Sequence, residues 1–173
     1  VWVMVLVGKA KILNTLRNWP RVTNLEAAIY GVNTWWSKVG SQAIDRSGLI
    51  VEKNFQRYRH YLAPIVVVVD ESTTQAEKSL IHYICEKTGA KTIFTTDLRD
   101  VNEKFARVRW LASSKPPVLE MLQQGISIDH RPVAQRGDIE AARWLIEQSV
   151  AITYHRYGNP NGGPKPSCSG LSA

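Results

Sequence analysis

Short apolar segments alternate with helical patterns over much of this chain. The clearest apolar segment is Ile-Val-Val-Val-Val at residues 65–69, a β-branched run of the kind that forms a buried parallel strand. Such alternation is typical of βαβ units and predicts a mainly parallel sheet. We expect five strands, at residues 65–69, 91–95, 106–111, 126–129 and 150–155.

The segments between these strands predict helices. Thr73 or Thr74 can cap a helix that Gly89 ends, with apolar residues at helical spacing between them. Further helices are expected at 97–105 and at 116–124. Asp138 is expected to cap a last helix at 139–148, whose apolar side includes Trp144.

The first part of the chain has a different character. Asn24 is expected to cap an amphipathic, aromatic-rich helix at 24–39, which Gly40 ends. The next stretch, 41–62, has no sustained period and contains alternating aromatic and cationic residues at 54–61, which suits an extended segment with two unlike faces. Docking against another part of a protein is the favoured role of this run, and stacking on nucleic acid is the alternative.

These patterns predict an α/β fold. We expect a three-layer, Rossmann-like, mainly parallel sheet of about five strands, with an N-terminal aromatic-rich helix and a C-terminal strand-like arm. The expected divisions are a helical and extended docking segment at 1–62, the sheet domain at 63–148, a terminal strand arm at 149–159 and a disordered Pro/Gly/Ser-rich tail at 160–173. A strand that overruns its own sheet suits pairing with another domain or subunit.

The turn after the first predicted strand argues against a bound nucleotide. Dinucleotide-binding proteins place a glycine-rich turn there, because only glycine lets the backbone approach a pyrophosphate. Here the strand runs into Asp-Glu-Ser-Thr-Thr at 70–74, and the next glycine is Gly89. Carboxylates at this point would repel a phosphate. The best-placed of them, Asp70, has turn formation or helix capping as its favoured role and ligand binding as the alternative.

The charge distribution disfavours nucleic acid as a partner. The chain carries 22 Lys and Arg against 15 Asp and Glu, a net charge of +7. The excess lies in residues 1–64 and 151–173, while 65–150 are nearly neutral. Because a phosphate-binding domain should carry its basic residues on the folded unit, we expect the flanks to face solvent or an acidic protein neighbour.

Neither cysteine usage nor hydropathy indicates catalysis or a membrane span. Cys85 and Cys168 form no metal-binding pattern, and Cys85 falls on an apolar helix face, where it is expected to fill the core. The longest apolar run, residues 1–7, is shorter than the roughly 20 residues that a membrane helix needs and suits a buried strand or helix piece. The start of the chain has no signal-peptide pattern and suggests a fragment or processed product, and we expect a cytoplasmic location.

Several stretches resemble a known family. They are Trp35-Trp36, the group Asn54, Tyr58 and Arg59, and a long block that includes Arg131-Pro132-Val133, Arg136-Gly137-Asp138-Ile139-Glu140, Glu147-Gln148-Ser149-Val150 and His155-Arg156-Tyr157-Gly158-Asn159. This set resembles the extreme C-terminal region of proline utilisation A, from about Leu25 to Asn159. That family couples an FAD-dependent proline dehydrogenase to an NAD-dependent 1-pyrroline-5-carboxylate dehydrogenase and passes the intermediate through an internal tunnel.

The resemblance implies a noncatalytic domain that covers the tunnel and supports assembly. The family's flavin barrel, NAD-binding turn and nucleophilic cysteine lie upstream of this region, so we expect no catalytic, cofactor-binding or metal-binding residue in this chain, with NAD and FAD held elsewhere in a parent enzyme. The implied partners are upstream dehydrogenase domains of the same polypeptide, with a homo-oligomer as a further option. The implied interdomain or tunnel-covering residues are Trp35, Trp36, Tyr58, Arg59, Glu147, Ser149, His155, Arg156, Tyr157 and Asn159.

Two other functions are compatible with the sequence. One is a stand-alone α/β module that binds a small ligand or regulates a partner through the strand ends near Asp70, Thr95 and Thr96. Tight binding of a small anion or nucleotide by the isolated chain would favour it. The other is a nucleic-acid-binding module using residues 55–59, which predicts binding that weakens steeply as salt rises.

Overall fold

The computed structural model describes residues 21–49 and 52–153. Its helices are α1 (Leu25–Trp35), α2 (Gln75–Thr88), α3 (Val118–Gln123) and α4 (Gly137–Ala142), with a π-helical turn at Trp36–Gly40 and a 3-10 turn at Leu98–Asp100. Its strands are β1 (Ile44–Asp45), β2 (Glu52–His60), β3 (Ile65–Val68), β4 (Thr92–Thr95), β5 (Arg107–Trp110), β6 (Ser127–Asp129) and β7 (Leu145–Thr153). None of the helices in these two ranges has the length and apolar character that crossing a lipid bilayer requires.

Four strands form a parallel sheet in the order β4-β3-β5-β6. The central strand β3 is buried along its whole length, which explains why its sequence is continuously apolar rather than alternating. Successive residues of this segment point to opposite faces: Ile65, Val67 and Val69 join one core cluster, and Val66 and Val68 join the other. The sheet is therefore the middle of three layers, and the predicted α/β class is confirmed.

One face of the sheet carries α1, α2 and α4, and the other carries α3. Helix α2 begins with a capping box, in which Thr74 Oγ1 accepts a hydrogen bond from Glu77 N and the Glu77 carboxylate accepts one from Thr74 N. It ends at Gly89, whose φ of 75° is left-handed. Tyr83 of α2 donates a 2.7 Å hydrogen bond from its hydroxyl to Asn33 Oδ1 of α1.

Helices α1 and α4 are in direct backbone contact. A Cβ atom added to Gly137 would lie 1.8 Å from the carbonyl oxygen of Ala28. Since no side chain fits in that space, Gly137 is required for this approach. The contact brings the start of α4 against α1.

The second sheet is antiparallel and has the order β1-β2-β7. All nine residues of β2 pair with all nine of β7, from Glu52 opposite Thr153 to His60 opposite Leu145. We call this pair of strands the ribbon. Its strand β2 lies in the stretch predicted to be extended, and Phe55 is its most buried residue, at 5% exposure.

Three predictions about secondary structure are wrong. No helix spans 97–105, because Asp97 caps only the single turn Leu98–Asp100 and the chain is extended again at Val101. The last helix begins at Gly137 rather than after an Asp138 cap, and it ends at Ala142 rather than 148. The residues beyond it pair with β2 instead, so the predicted fifth parallel strand is part of a longer strand in the antiparallel sheet.

Some predictions concern residues outside the described ranges. They are the apolar run at 1–7, the tail at 160–173, Cys168, and the last residues of the predicted strand at 150–155. The strand arm at 149–159 is described only as far as Thr153.

Candidate functional site

The aromatic residues at the end of α1 pack against the ribbon. The Trp35 ring meets the Tyr58 ring edge-on, with centroids 4.9 Å apart and planes at 70°, and it lies 6.2 Å from the Trp36 ring. The π-helical turn brings Gly40 beneath both indoles, where an added Cβ would lie 2.5 Å from Trp36 Cε3. We call Trp35, Trp36, Gly40 and Tyr58 the aromatic corner. It holds the end of α1 against β2.

Polar side chains bridge the two strands of the ribbon. Gln56 Nε2 donates a 2.6 Å hydrogen bond to Glu147 Oε1, and Arg57 Nε donates one of 2.7 Å to Gln148 Oε1. Glu147 also lies directly opposite Tyr58. Burial first, and the Glu147 charge second, raise the pKa of the Tyr58 hydroxyl above its usual value. The aromatic corner is therefore electrostatically coupled to β7.

The structure brings together four of the predicted interdomain residues: Trp35, Trp36, Tyr58 and Glu147. Arg59 pairs with Ile146, and both side chains are exposed on the ribbon. Ser149 lies opposite Gln56, also on the ribbon. The remaining predicted residues, His155, Arg156, Tyr157 and Asn159, lie outside the described ranges.

One long edge of the ribbon has no partner strand among the described residues. Strand β7 pairs with β2 on one side, and its other side is the end of the sheet. Ile146 at the start of this edge is 42% exposed. A nine-residue edge with unpaired backbone groups is suited to adding a strand from another domain or subunit.

A largely buried cluster of charged side chains was missed by sequence reasoning. Its members are Arg107, Arg109, Asp129, Arg131, Glu140 and Arg143, and we call them the charged cluster. Glu140, which is fully buried, accepts hydrogen bonds from Arg109, Arg143, Ala134 N and Trp144 Nε1 at 2.8–3.2 Å. The available signal was the alternation of two arginines with apolar residues in a strand that a parallel sheet buries.

The charged cluster also holds the base of the ribbon. Arg107 Nη1 donates hydrogen bonds of 3.3 Å to the Tyr61 hydroxyl, just after β2, and to the Arg143 carbonyl, just before β7. Its guanidinium also lies 5.9 Å from the centre of the Tyr61 ring. Arg107, on a central strand of the parallel sheet, thus holds the two ribbon strands at the point where they leave the domain.

Asp70, the carboxylate considered for ligand binding, is occupied by local hydrogen bonds. Its Oδ1 accepts from Ser72 N at 2.9 Å, and its Oδ2 accepts from Ser113 N and Ser113 Oγ at 2.7 Å each. The bonds from Ser72 and Ser113 hold the pKa of the carboxyl well below its usual range. This arrangement matches the turn-forming role and joins the loops after β3 and β5.

Thr95 and Cys85 likewise have structural surroundings. Thr95 Oγ1 donates a 2.8 Å hydrogen bond to the Asp97 carbonyl. Cys85 packs in the core, and burial raises the pKa of its thiol to about 11, which makes it a poor nucleophile at neutral pH. The described residues contain no group of three or more His, Cys, Asp or Glu side chains placed to hold a metal ion.

A cleft of about 1210 Å³ lies beyond the carboxyl ends of β5 and β6. It is lined by Arg21, Ser72, Glu77, residues 110–120, Leu122, and residues 130–133. Trp110 packs partly against the core and also lies on the cleft wall, where its Nε1 donates a 2.9 Å hydrogen bond to the Ser114 carbonyl. Trp144, in contrast, is 1% exposed and fills the core as predicted.

The fold and these sites define a class of protein: a Rossmann-like α/β domain with an acidic turn where a nucleotide would bind, and with an antiparallel ribbon attached. No protein-family model matches the sequence, and no curated protein matches it significantly. Among solved structures, proline utilization A (PutA) from Corynebacterium freiburgense is similar, with a TM-score of 0.58 and 22% sequence identity.

That similarity covers 91% of this chain but only 16% of the PutA chain. At this identity, it establishes a shared fold. The chain therefore has the fold of a small part of a much longer protein.

Proposed function

We propose that this chain is a noncatalytic C-terminal domain of a bifunctional, cytoplasmic proline-catabolic enzyme. In that role it covers the tunnel through which 1-pyrroline-5-carboxylate passes, and it supports assembly of the enzyme. NAD and FAD would be bound by upstream domains of the same polypeptide. The observation that carries the proposal is the similarity in fold to PutA over 91% of the chain.

The acidic turn after β3 supports the noncatalytic part of the proposal. In a dinucleotide-binding domain, bare amides at this position receive the pyrophosphate. Here the Asp70 carboxylate fills the turn and is held ionised by Ser72 and Ser113. In this proposal the chain keeps the scaffold without the cofactor site, and the negative charge in the turn supports that.

The ribbon supports the assembly part. It exposes a long strand edge, and its base is joined to the parallel sheet through Arg107. A strand anchored in this way can add to a neighbouring sheet without reorganisation of its own domain, which limits the entropic cost of binding. The aromatic corner would lie beside that contact.

The first test is the sequence of the gene upstream of the codon for Val1. A reading frame that encodes a flavin-binding proline dehydrogenase and a cysteine-bearing aldehyde dehydrogenase supports the proposal. A start codon here with no such upstream domains would remove the tunnel that the domain is proposed to cover.

The second test uses the full-length parent with residues 147–159 deleted. We expect slower coupled formation of glutamate from proline, with a lag before NADH appears, while flavin-dependent proline oxidation is unchanged. Arg59→Gln combined with Ile146→Asp is a milder variant, because both side chains are exposed and a neutral residue opposite the new carboxylate avoids repulsion between the strands. Leu62→Gln, an exposed position off the ribbon, is the matched control. Unchanged coupled flux in the deletion and the double variant would reject the proposal.

A further inference from the structure

The cleft beyond β5 and β6 lies at the point of the parallel sheet where ligands bind in open α/β folds. In the order β4-β3-β5-β6, the chain passes from β3 to β4 on one side and then crosses to β5 on the other. The connections therefore diverge between β3 and β5, and a crevice opens at their carboxyl ends. Ser72, after β3, and Ser113, after β5, both line the cleft.

The walls of the cleft carry exposed apolar side chains. Leu119 and Leu122 of α3 are 70% and 60% exposed, and both line it together with Trp110 and the Pro116-Pro117 pair. Exposed leucines one turn apart on the wall of a concave surface indicate contact with an apolar ligand. The volume, about 1210 Å³, is at the upper end of the roughly 300–1,000 Å³ typical of small-molecule sites.

One basic side chain at the cleft, Lys115, is available to an anionic group. The basic residues of the lining are Arg21, Lys115 and Arg131, of which Arg131 is paired with Asp129, and the acidic ones are Glu77 and Glu120. The Glu77 carboxylate is engaged with Thr74 in the capping box of α2, which leaves Glu120 as the exposed acidic group. Within the described ranges, Lys115 takes part in no ion pair.

We propose that this cleft binds an organic anion with an extended apolar body, such as a medium-chain carboxylate. The apolar body would contact Leu119, Leu122 and Trp110, and the charged head would lie near Lys115. This site differs from the strand-end site near Asp70, Thr95 and Thr96 that the sequence offered as an alternative, since Asp70 is occupied by Ser72 and Ser113 and Thr95 is not part of the lining. The proposal goes beyond tunnel covering and does not depend on it.

The test measures binding of decanoate to the full chain by titration calorimetry, with decanol and inorganic phosphate as comparison probes. We expect saturable binding of one decanoate per chain, with weaker binding of decanol and of phosphate, because the site needs both an apolar body and a charge. Leu122→Gln should weaken decanoate about tenfold by removing apolar contact. Lys115→Gln should weaken decanoate about threefold at low salt and leave decanol unchanged.

Two control variants carry the same chemical changes outside the cleft. Leu62→Gln alters a leucine that is 87% exposed, and Lys91→Gln alters an exposed lysine just before β4, at the opposite end of the parallel sheet. Both should bind decanoate like the unaltered chain. All four substitutions are at exposed or half-exposed positions, and an unchanged thermal midpoint will show that each variant is folded.

Several outcomes would overturn the proposal. They are absence of saturable decanoate binding, equal affinity for decanol or phosphate, and equal weakening by the cleft and control variants. Decanoate binding that appears only in a variant combining Val3→Gln and Leu6→Gln would identify the chain's own N-terminal segment as the occupant of the cleft. That result would also overturn the proposal. Each of these results leaves the tunnel-covering proposal to its own test.

Discussion

Arg109 and Glu140 form an ion pair in the interior of the domain. The Arg109 Nη2 atom lies 3.0 Å from Glu140 Oε1, and the two side chains are 2% and 0% exposed. One residue is on the sheet and the other is on α4, so the pair fixes the helix that leads into β7. Such a pair specifies an arrangement more than it stabilises a fold, since desolvation offsets most of the attraction.

Replacing one partner of this pair should destabilise the domain strongly. Arg109→Met and Glu140→Leu should each lower the free energy of unfolding by about 3–5 kcal/mol, because each leaves a buried charge without its counterion. The double variant should lose much less than the sum of the two single losses. Urea denaturation measures all three, and the exposed pair Asp97→Asn with Arg99→Met, which keeps the cap at position 97, serves as a control with little change. Strictly additive losses at Arg109 and Glu140 would contradict the pairing.

Acid should weaken the domain through Asp129. Burial on its own raises the pKa of this carboxyl, but the Arg131 hydrogen bonds and the Arg109 charge outweigh burial and hold the pKa well below its usual range. A carboxyl whose pKa is depressed by folding contributes stability that is fully present above the unfolded pKa of about 4 and is lost as the pH falls below it.

Asp129→Asn should therefore reduce stability at pH 7 and flatten its decline below about pH 4. Unfolding free energies measured by urea denaturation between about pH 2.5 and pH 7 will show this. Glu103→Gln, at an exposed position, is the control and should keep the original pH profile. A decline in Asp129→Asn as steep as in the unaltered chain would assign the acid sensitivity to other groups.

The contact between α1 and α4 should not tolerate a methyl group at Gly137. Gly137→Ala would place a carbon against the Ala28 carbonyl and should cost about 1–3 kcal/mol through displacement of the two helices. Gly31→Ala is the matched substitution on α1, where the added Cβ would meet its nearest atom at 3.3 Å. There, the gain in helix propensity offsets the tight contact, and the change should stay below about 1 kcal/mol. Thermal unfolding tests whether Gly137→Ala is more destabilising than Gly31→Ala, and equal losses of stability would disprove the close contact.

Removing the charge of Glu147 should lower the pKa of Tyr58. Glu147→Gln eliminates the charge opposite the hydroxyl, while burial, the larger cause, keeps the pKa above the usual value of about 10. Spectrophotometric titration of the phenolate, with Tyr58→Phe to identify its signal, measures the change. Glu52→Gln is the control, since Glu52 lies on β2 six residues from Tyr58, a distance of about 20 Å. If Tyr58 titrates identically in Glu147→Gln and in the unaltered chain, the aromatic corner is not electrostatically coupled to β7.

The parallel sheet was predictable because its signals are local. The continuous valine run of β3, the Thr74 cap and the Gly89 end each depend on neighbours within one helix or strand. The strand β7 was not predictable in this way, because the helical spacing of Ile139 and Ala142 continues through Leu145 and Ile146. What decides their conformation is pairing with β2, a partner that no local pattern identifies.

The same difference between local and long-range signals applies to the candidate sites. The aromatic corner was partly anticipated, since Trp35, Trp36 and Tyr58 stand out in the sequence as large side chains in unusual groups. The burial of Glu140 was not, because a charged residue is assigned to the surface unless its partners are known. Two of those partners, Arg109 on β5 and Ala134 in the loop after β6, are brought to Glu140 only by the folded chain.

The ribbon has a consequence for the order in which this chain folds. The hydrogen bond from Gln56 to Glu147 joins residues 91 positions apart, and the whole parallel sheet lies between them. Closing a loop of that length costs about 4 kcal/mol in chain entropy before any pairing is gained. The cost falls once the intervening sheet has formed and has drawn the two ends together through Arg107. We therefore expect pairing of β2 with β7 to be the last event of folding, and during synthesis to wait until β7 has left the ribosome.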